Sequence, residues 1–191
     1  MNEEGLIERV GENPWFFVVM RDPYEAVCFE AVRRDGRMLK YVRDQTEAIC
    51  IEAVRQNGRA LKYVKDKTEE ICLEAIRENG NAIQYIDDQT EDICSIAVRQ
   101  CGLSLRHIKN QTEELCISAV KQNGMALMIV EDQTLELCFE AITNPWYGMW
   151  FGYDMDDEKR LECIKDPEMK EICRKYMREG DRFMKTKSAK R

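Results

Sequence analysis

Nine cysteines and a single histidine are the residues of this chain best equipped for chemistry, and their spacing limits what that chemistry can be. Six cysteines stand at 28, 50, 72, 94, 116 and 138, each 22 residues from the next. Thiols can bridge, bind metal or act as nucleophiles. Bridging requires Cα atoms within ~7 Å, whereas equivalent residues of stacked helices lie ~8–10 Å apart. Metal binding lacks a C-x₂-C pair. His107 follows Cys101 by six residues, and two ligands fall short of a tetrahedral zinc site. A nucleophile would need a base, and His107 is the one imidazole in the chain. No glycine-rich phosphate loop, H-E-x-x-H or G-x-S-x-G is present. We therefore expect no catalytic residue, metal or cofactor. Cys28, Cys50, Cys72, Cys94, Cys116 and Cys138 read instead as a structural ladder of small apolar fillers where neighbouring helices meet.

The elements that carry this ladder repeat with it. Around each cysteine the chain reads approximately D-Q-T-E-E-I-C-I-E-A-V-R-Q-N-G-x-A-L-x-Y-V-x. Asp44, Asp66, Asp88 and Asp132, with Asn110 as a variant, suit helix N-caps. Each is followed three residues later by a glutamate, except that Leu135 follows Asp132. Ile49, Cys50, Ala53 and Val54 fall on one helical face. Asn57-Gly58 ends that helix, with the glycine expected in the left-handed C′ conformation. Ala60, Leu61 and Val64 then line a second helix of about two turns. Helices this short are marginal alone, so each must bury its apolar face against neighbouring copies.

The expected fold is all-α: a right-handed α-solenoid of stacked helix–turn–helix repeats. Residues 1–191 read as a single repeat domain. Within it, 6–27 form a degenerate N-terminal capping repeat and 28–137 five regular repeats. Residues 138–184 form degenerate C-terminal repeats, the last aligned on Ile172-Cys173 and Gly180, and 185–191 a disordered basic tail. Trp15 and Trp146 occupy related positions in the atypical end repeats, with Trp150 close by. They read as lids on the core or as an exposed aromatic patch that docks a partner.

The unit TEEICLEAIRENGNAIQYI resembles a family of short tandem helical repeats classed as a domain of unknown function, common in large DNA viruses and present in some bacteria. The resemblance covers roughly residues 20–142. It implies a helical-repeat fold and a viral source, and brings no activity with it.

Two polar series share the period. Arg33, Arg55, Arg77, Arg99 and Lys121 form a basic column, and Glu30, Glu52, Glu74 and Glu140 an acidic one interrupted by Ile96 and Ser118. Glutamate and arginine three apart on a helix are neighbours, so the columns read as a solvated face of ion pairs or as a ridge for an extended partner. The middle repeat departs most, with Ser95, Ile96, Cys101, Leu103, Ser104 and His107, and is where a specialised site would be sought. Net charge is −7, although residues 174–191 hold eight Lys/Arg against two Asp/Glu, leaving −13 on the remainder. That balance does not suit a general nucleic-acid binder.

The expected function is a non-enzymatic scaffold for protein–protein interaction, a viral protein acting on host factors or packaged in the virion. The partner is an unidentified protein. The competing expectations are a nucleic-acid accessory protein using the basic column and tail, and a structural protein assembling through its end repeats; the chain is expected as a monomer or as a homodimer through those repeats. With no apolar run of ~20 residues and no signal-peptide pattern, we expect no membrane association. The expected location is intracellular, in host cytoplasm or nucleus, or in the virion.

Overall fold

The computed structural model describes residues 2–21, 23–143 and 157–188, which divide by contact into two compact units, 1–100 and 101–191. The protein is an all-α repeat solenoid with no strand among the described residues. Among the described residues, α1 to α6 are each ten residues long and each is followed by a 3₁₀ helix. The N-terminal unit contains α1 (Glu3–Glu12), η1 (Pro14–Val19), α2 (Glu25–Arg34), η2 (Gly36–Tyr41), α3 (Glu47–Gln56), η3 (Gly58–Tyr63), α4 (Glu69–Glu78), η4 (Gly80–Tyr85) and α5 (Glu91–Gln100). The C-terminal unit contains η5 (Gly102–His107), α6 (Glu113–Gln122), η6 (Gly124–Met128), α7 (Leu135–Thr143), α8 (Asp157–Leu161) and α9 (Pro167–Ser188).

From η1 to η6 the second element of the repeat is 3₁₀ rather than α, and the residue spacing shows why. Gly58, Leu61 and Val64 are three apart, and a helix of three residues per turn sets them in one line. All three are buried, with Leu61 at 0% exposure. The i→i+3 bonds are those of a 3₁₀ helix: Ala60 N–H to Asn57 O at 2.7 Å and Val64 N–H to Leu61 O at 3.2 Å. The line packs against α4, whose Ile71, Cys72, Ala75 and Ile76 are all buried. Each large aliphatic side chain so enclosed contributes ~1.5–3 kcal/mol.

Three local expectations are corrected. The N-caps are threonines, two residues after the aspartates. Thr68 has extended backbone and its Oγ1 accepts from Ile71 N–H at 3.4 Å, with Thr46, Thr90, Thr112 and Thr134 doing the same in their repeats. The turn before Thr68 breaks the helical path, so Asp66 lies outside the first turn. The glycines are not left-handed caps. Asn57 ends α3 in an extended conformation and its side chain accepts from Arg59 N–H, so Gly58 is the first residue of η3. Its role is close approach: a Cβ there would lie 2.5 Å from the Ala75 carbonyl oxygen of the next repeat. Finally, α9 runs unbroken through Gly180 to Ser188, so no glycine turn divides it and helix extends into the stretch expected to be a disordered tail. Its N-cap is Asp166, which accepts from Met169 N–H at 2.8 Å. That register sets Cys173 where regular repeats carry Ala53 or Ala75, fully buried, and turns Ile172 outward at 41% exposure.

Candidate functional site

Reading upward from the thiols, Cys28, Cys50, Cys72, Cys94, Cys116 and Cys138 are all buried on the first turns of their α-helices. All nine cysteines are free. Burial pushes the thiols of all six, and of Cys173, above the ordinary range. Cys138 is the extreme, pushed up to about 12 by burial and by the neighbouring Cys173 and Cys163. These are protonated, shielded groups, poor as nucleophiles and as metal ligands. Among the described residues no group of three or more His, Cys, Asp and Glu has the geometry to hold a metal ion.

The unusual residues of the middle repeat fall at three different kinds of position. Ser104 takes the place of Ala60, Ala82 and Ala126 in the core, at 0% exposure, and its Oγ has no partner. Cys101 stands where other repeats carry the asparagine that caps the 3₁₀ helix, and its side chain makes no cap bond. His107 is half-buried at the end of η5, its pKa lowered by burial and then by Arg106.

The basic column is exposed, and part of it is tied up. Glu30 accepts from Arg33 at 2.8 and 2.9 Å and from Arg34 at 2.8 Å. Glu74 joins two repeats: Arg55 reaches it at 2.7 Å from the preceding helix, and Arg77 from its own. The guanidinium groups hold both carboxyls below the usual range. Arg99, whose repeat has Ile96 in the glutamate position, turns its Nε to the carbonyl of Ser95 at 3.2 Å. Lys121 is exposed on α6.

Trp15 is not a lid. It is 53% exposed, and the core position two residues on is filled by Phe17 at 2%. Its ring meets that of Tyr41 edge-on, 6.5 Å between centroids, and Tyr41 is itself 38% exposed. Lys40 lies 5.4 Å over Tyr41, and Lys62 4.6 Å over Tyr63 on the adjoining 3₁₀ helix. A strip of aromatic rings and cations thus runs across the 3₁₀ face of the N-terminal unit. The sequence signal for it was the recurrence of Tyr41, Tyr63 and Tyr85 at the same interval as the cysteines. Trp146 and Trp150 lie outside the described residues.

The connections between repeats hold one more pattern that the sequence reading passed over. Gln45 donates its amide to Leu39 O at 3.3 Å and to Tyr63 O of the next repeat at 3.0 Å, while its Oε1 accepts from Lys65 N–H at 3.0 Å. Gln133 repeats the arrangement with Leu127 O at 2.7 Å, Cys163 O at 3.0 Å and Lys165 N–H at 2.9 Å. One carboxamide thereby closes three backbone groups across two repeats. In the last repeat its target lies 30 residues on, against 18 for Gln45 and Tyr63, so the extra residues fall between α7 and α8.

The class these features define is a tandem helical-repeat protein with a dry core and a polar, aromatic-bearing surface. Residues 68–112 match the family model described as domain of unknown function DUF4116. The match starts on one N-cap threonine and ends on the one two repeats later, so it covers two full periods. No curated protein and no solved structure matches the chain. No helix among the described residues is long and apolar enough to cross a membrane.

Proposed function

We propose that the protein is a non-enzymatic repeat scaffold that binds another protein through the 3₁₀ face of its N-terminal unit. The observation that supports this reading most is the exposed pair Trp15 and Tyr41, continued by Lys40, Lys62 and Tyr63. Tryptophan, tyrosine and basic side chains held on a rigid backbone are the residue types that dominate protein interfaces. Packed 3₁₀ helices beneath them lower the entropy lost on binding. The cations above the rings favour a partner with acidic groups beside an apolar anchor.

The nucleic-acid reading stands second. Glu30 and Glu74 neutralise three of the five column residues, and a phosphate backbone would have to compete with those carboxylates. The proposal includes a viral setting, in host cytoplasm or nucleus or in the virion, for which the family resemblance is the support.

The test is capture from host extract with the intact chain and with Trp15→Ala/Tyr41→Ala, both first shown to be equally helical. The reading expects a specific protein held by the first and lost by the second. Identical captures, or a partner replaced by nucleic acid whose binding weakens steeply with salt, would count against it.

A further inference from the structure

The cations of the N-terminal unit differ in what they touch. On the α column, Arg33, Arg55 and Arg77 are all paired with glutamates. On the 3₁₀ face, η2 carries Arg37 and Lys40, η3 carries Arg59 and Lys62, and neither helix contains an acidic residue. Asp35, which caps η2, holds Arg37 at 2.8 Å. Lys40, Arg59 and Lys62 are exposed and have no carboxylate partner among the described residues. The aspartates of the following connections lie by the thiols instead: Asp44 lines a cleft with Cys28, and Asp66 acts on Cys50. In η1 the two cation positions are Trp15 and Val18, and in η4 they are Asn81 and Gln84. The basic strip therefore begins and ends within this unit, with an apolar edge on the Trp15 side.

The spacing of the strip selects a shape of partner. Lys40 and Lys62 hold the same place in consecutive repeats, each with its Nζ over the ring of the tyrosine that follows it. η2 and η3 pack side by side, and helices so packed lie ~8–10 Å apart. A polyproline II segment has three residues per turn at ~3.1 Å each, so side chains three apart share one side at ~9 Å. A β-strand sets neighbours on one face ~7 Å apart, which misses the interval. Exposed aromatic rings are also the surface on which proline-rich segments dock, because their backbone is already ordered. Resting on the binding face proposed above, we propose that its partner is a polyproline II segment with two acidic residues three apart, which meet Lys40 and Lys62, and an apolar residue on the Trp15 side. Arg59 adds positive charge close to Lys62.

The test is fluorescence anisotropy of fluorescein-labelled Phe-Pro-Pro-Glu-Pro-Pro-Glu, and of the same peptide in reverse order, with the intact chain at low salt. The proposal expects saturable binding of at least one of them that weakens as salt is raised. Lys40→Glu/Lys62→Glu, first shown to be as helical as the parent, should weaken it about ten-fold or more. An isomer with its two glutamates adjacent should lose about three-fold or more, and replacing both by glutamine should lose more still. Arg99→Glu, on the α column, should leave binding unchanged. Absence of saturable binding, equal binding of the isomer or the glutamine peptide, or an unchanged affinity in Lys40→Glu/Lys62→Glu would overturn the proposal. So would an oligothymidylate bound more tightly at the same lysines, or self-association of the chain removed by the same substitutions. The binding face is judged separately by the capture experiment: a protein lost with Trp15→Ala/Tyr41→Ala keeps that face even where the acidic peptides fail.

Discussion

Replacing Gly58 with alanine tests the packing of one repeat on the next. The backbone at this position is not left-handed, so alanine meets no conformational penalty, and a lower unfolded-state entropy would favour it by ~0.4–1 kcal/mol. The steric side is larger. The added Cβ would lie 2.5 Å from Ala75 O, 2.9 Å from Asn79 Cβ and 3.2 Å from Asn79 N. Two of these neighbours are backbone atoms of the adjoining repeat, so relief requires η3 and α4 to separate by most of an ångström. Forced insertion of a methyl group into a packed core costs ~1–3 kcal/mol, and the widened gap also loses dispersion contacts along the helix pair. The expected net effect is a destabilisation of about 1–3 kcal/mol. The control is Gly11→Ala within α1, where the new Cβ meets only side-chain ends, Glu30 Oε1 at 3.3 Å and Arg34 Nη2 at 3.5 Å. Gly11 lies in the last turn of α1 and its new neighbours are movable side-chain ends, so this variant should lose much less stability than Gly58→Ala. Urea unfolding followed by circular dichroism measures both. If Gly58→Ala proves as stable as the parent chain, close approach is not why the glycine is there.

Other perturbations probe different contacts. Ser104→Ala removes a buried hydroxyl without a partner and restores the residue of the neighbouring repeats, so it should stabilise the protein by ~1 kcal/mol or more in the same assay. Gln45→Leu strips the bonds that join two connections and should cost ~2–3 kcal/mol, visible as faster hydrogen exchange at Lys65 N–H. The raised Cys138 pKa has a definite sign. The unfolded thiol ionises from about pH 9 and the folded one only near 12, so stability is complete below pH 9 and declines as pH rises through that window. Cys138→Ala should flatten this decline in unfolding measured at pH 8 and pH 10.5, and an unchanged slope refutes the assignment. Glu74→Gln cuts ion pairs to two largely exposed arginines and should cost under ~1 kcal/mol, a difference that vanishes in 1 M salt.

Periodicity carried most of the fold. A 22-residue interval of cysteine, aliphatic pairs and Asn-Gly is enough to demand two short helices per repeat and a shared core, because neither helix can bury its apolar face alone. The identity of the buried positions followed from the same interval. The site was less legible. Nothing in the spelling of Pro14-Trp15 says whether the ring lies in or out, since that depends on Phe17 having already filled the core position. The last helix was misaligned for a related reason: Ile172-Cys173 looks like Ile49-Cys50, but Asp166 starts the helix and fixes a register in which Cys173 takes an alanine position.

The sequence by itself therefore determined the helical class, the length of the repeat and the buried face, all of which rest on local spacing. Only the tertiary structure decided that the glycines serve close contact and that glutamines bind successive connections. Those facts depend on atoms about twenty residues apart meeting across a repeat boundary. A one-dimensional pattern names the residues at such a boundary without the distances between them.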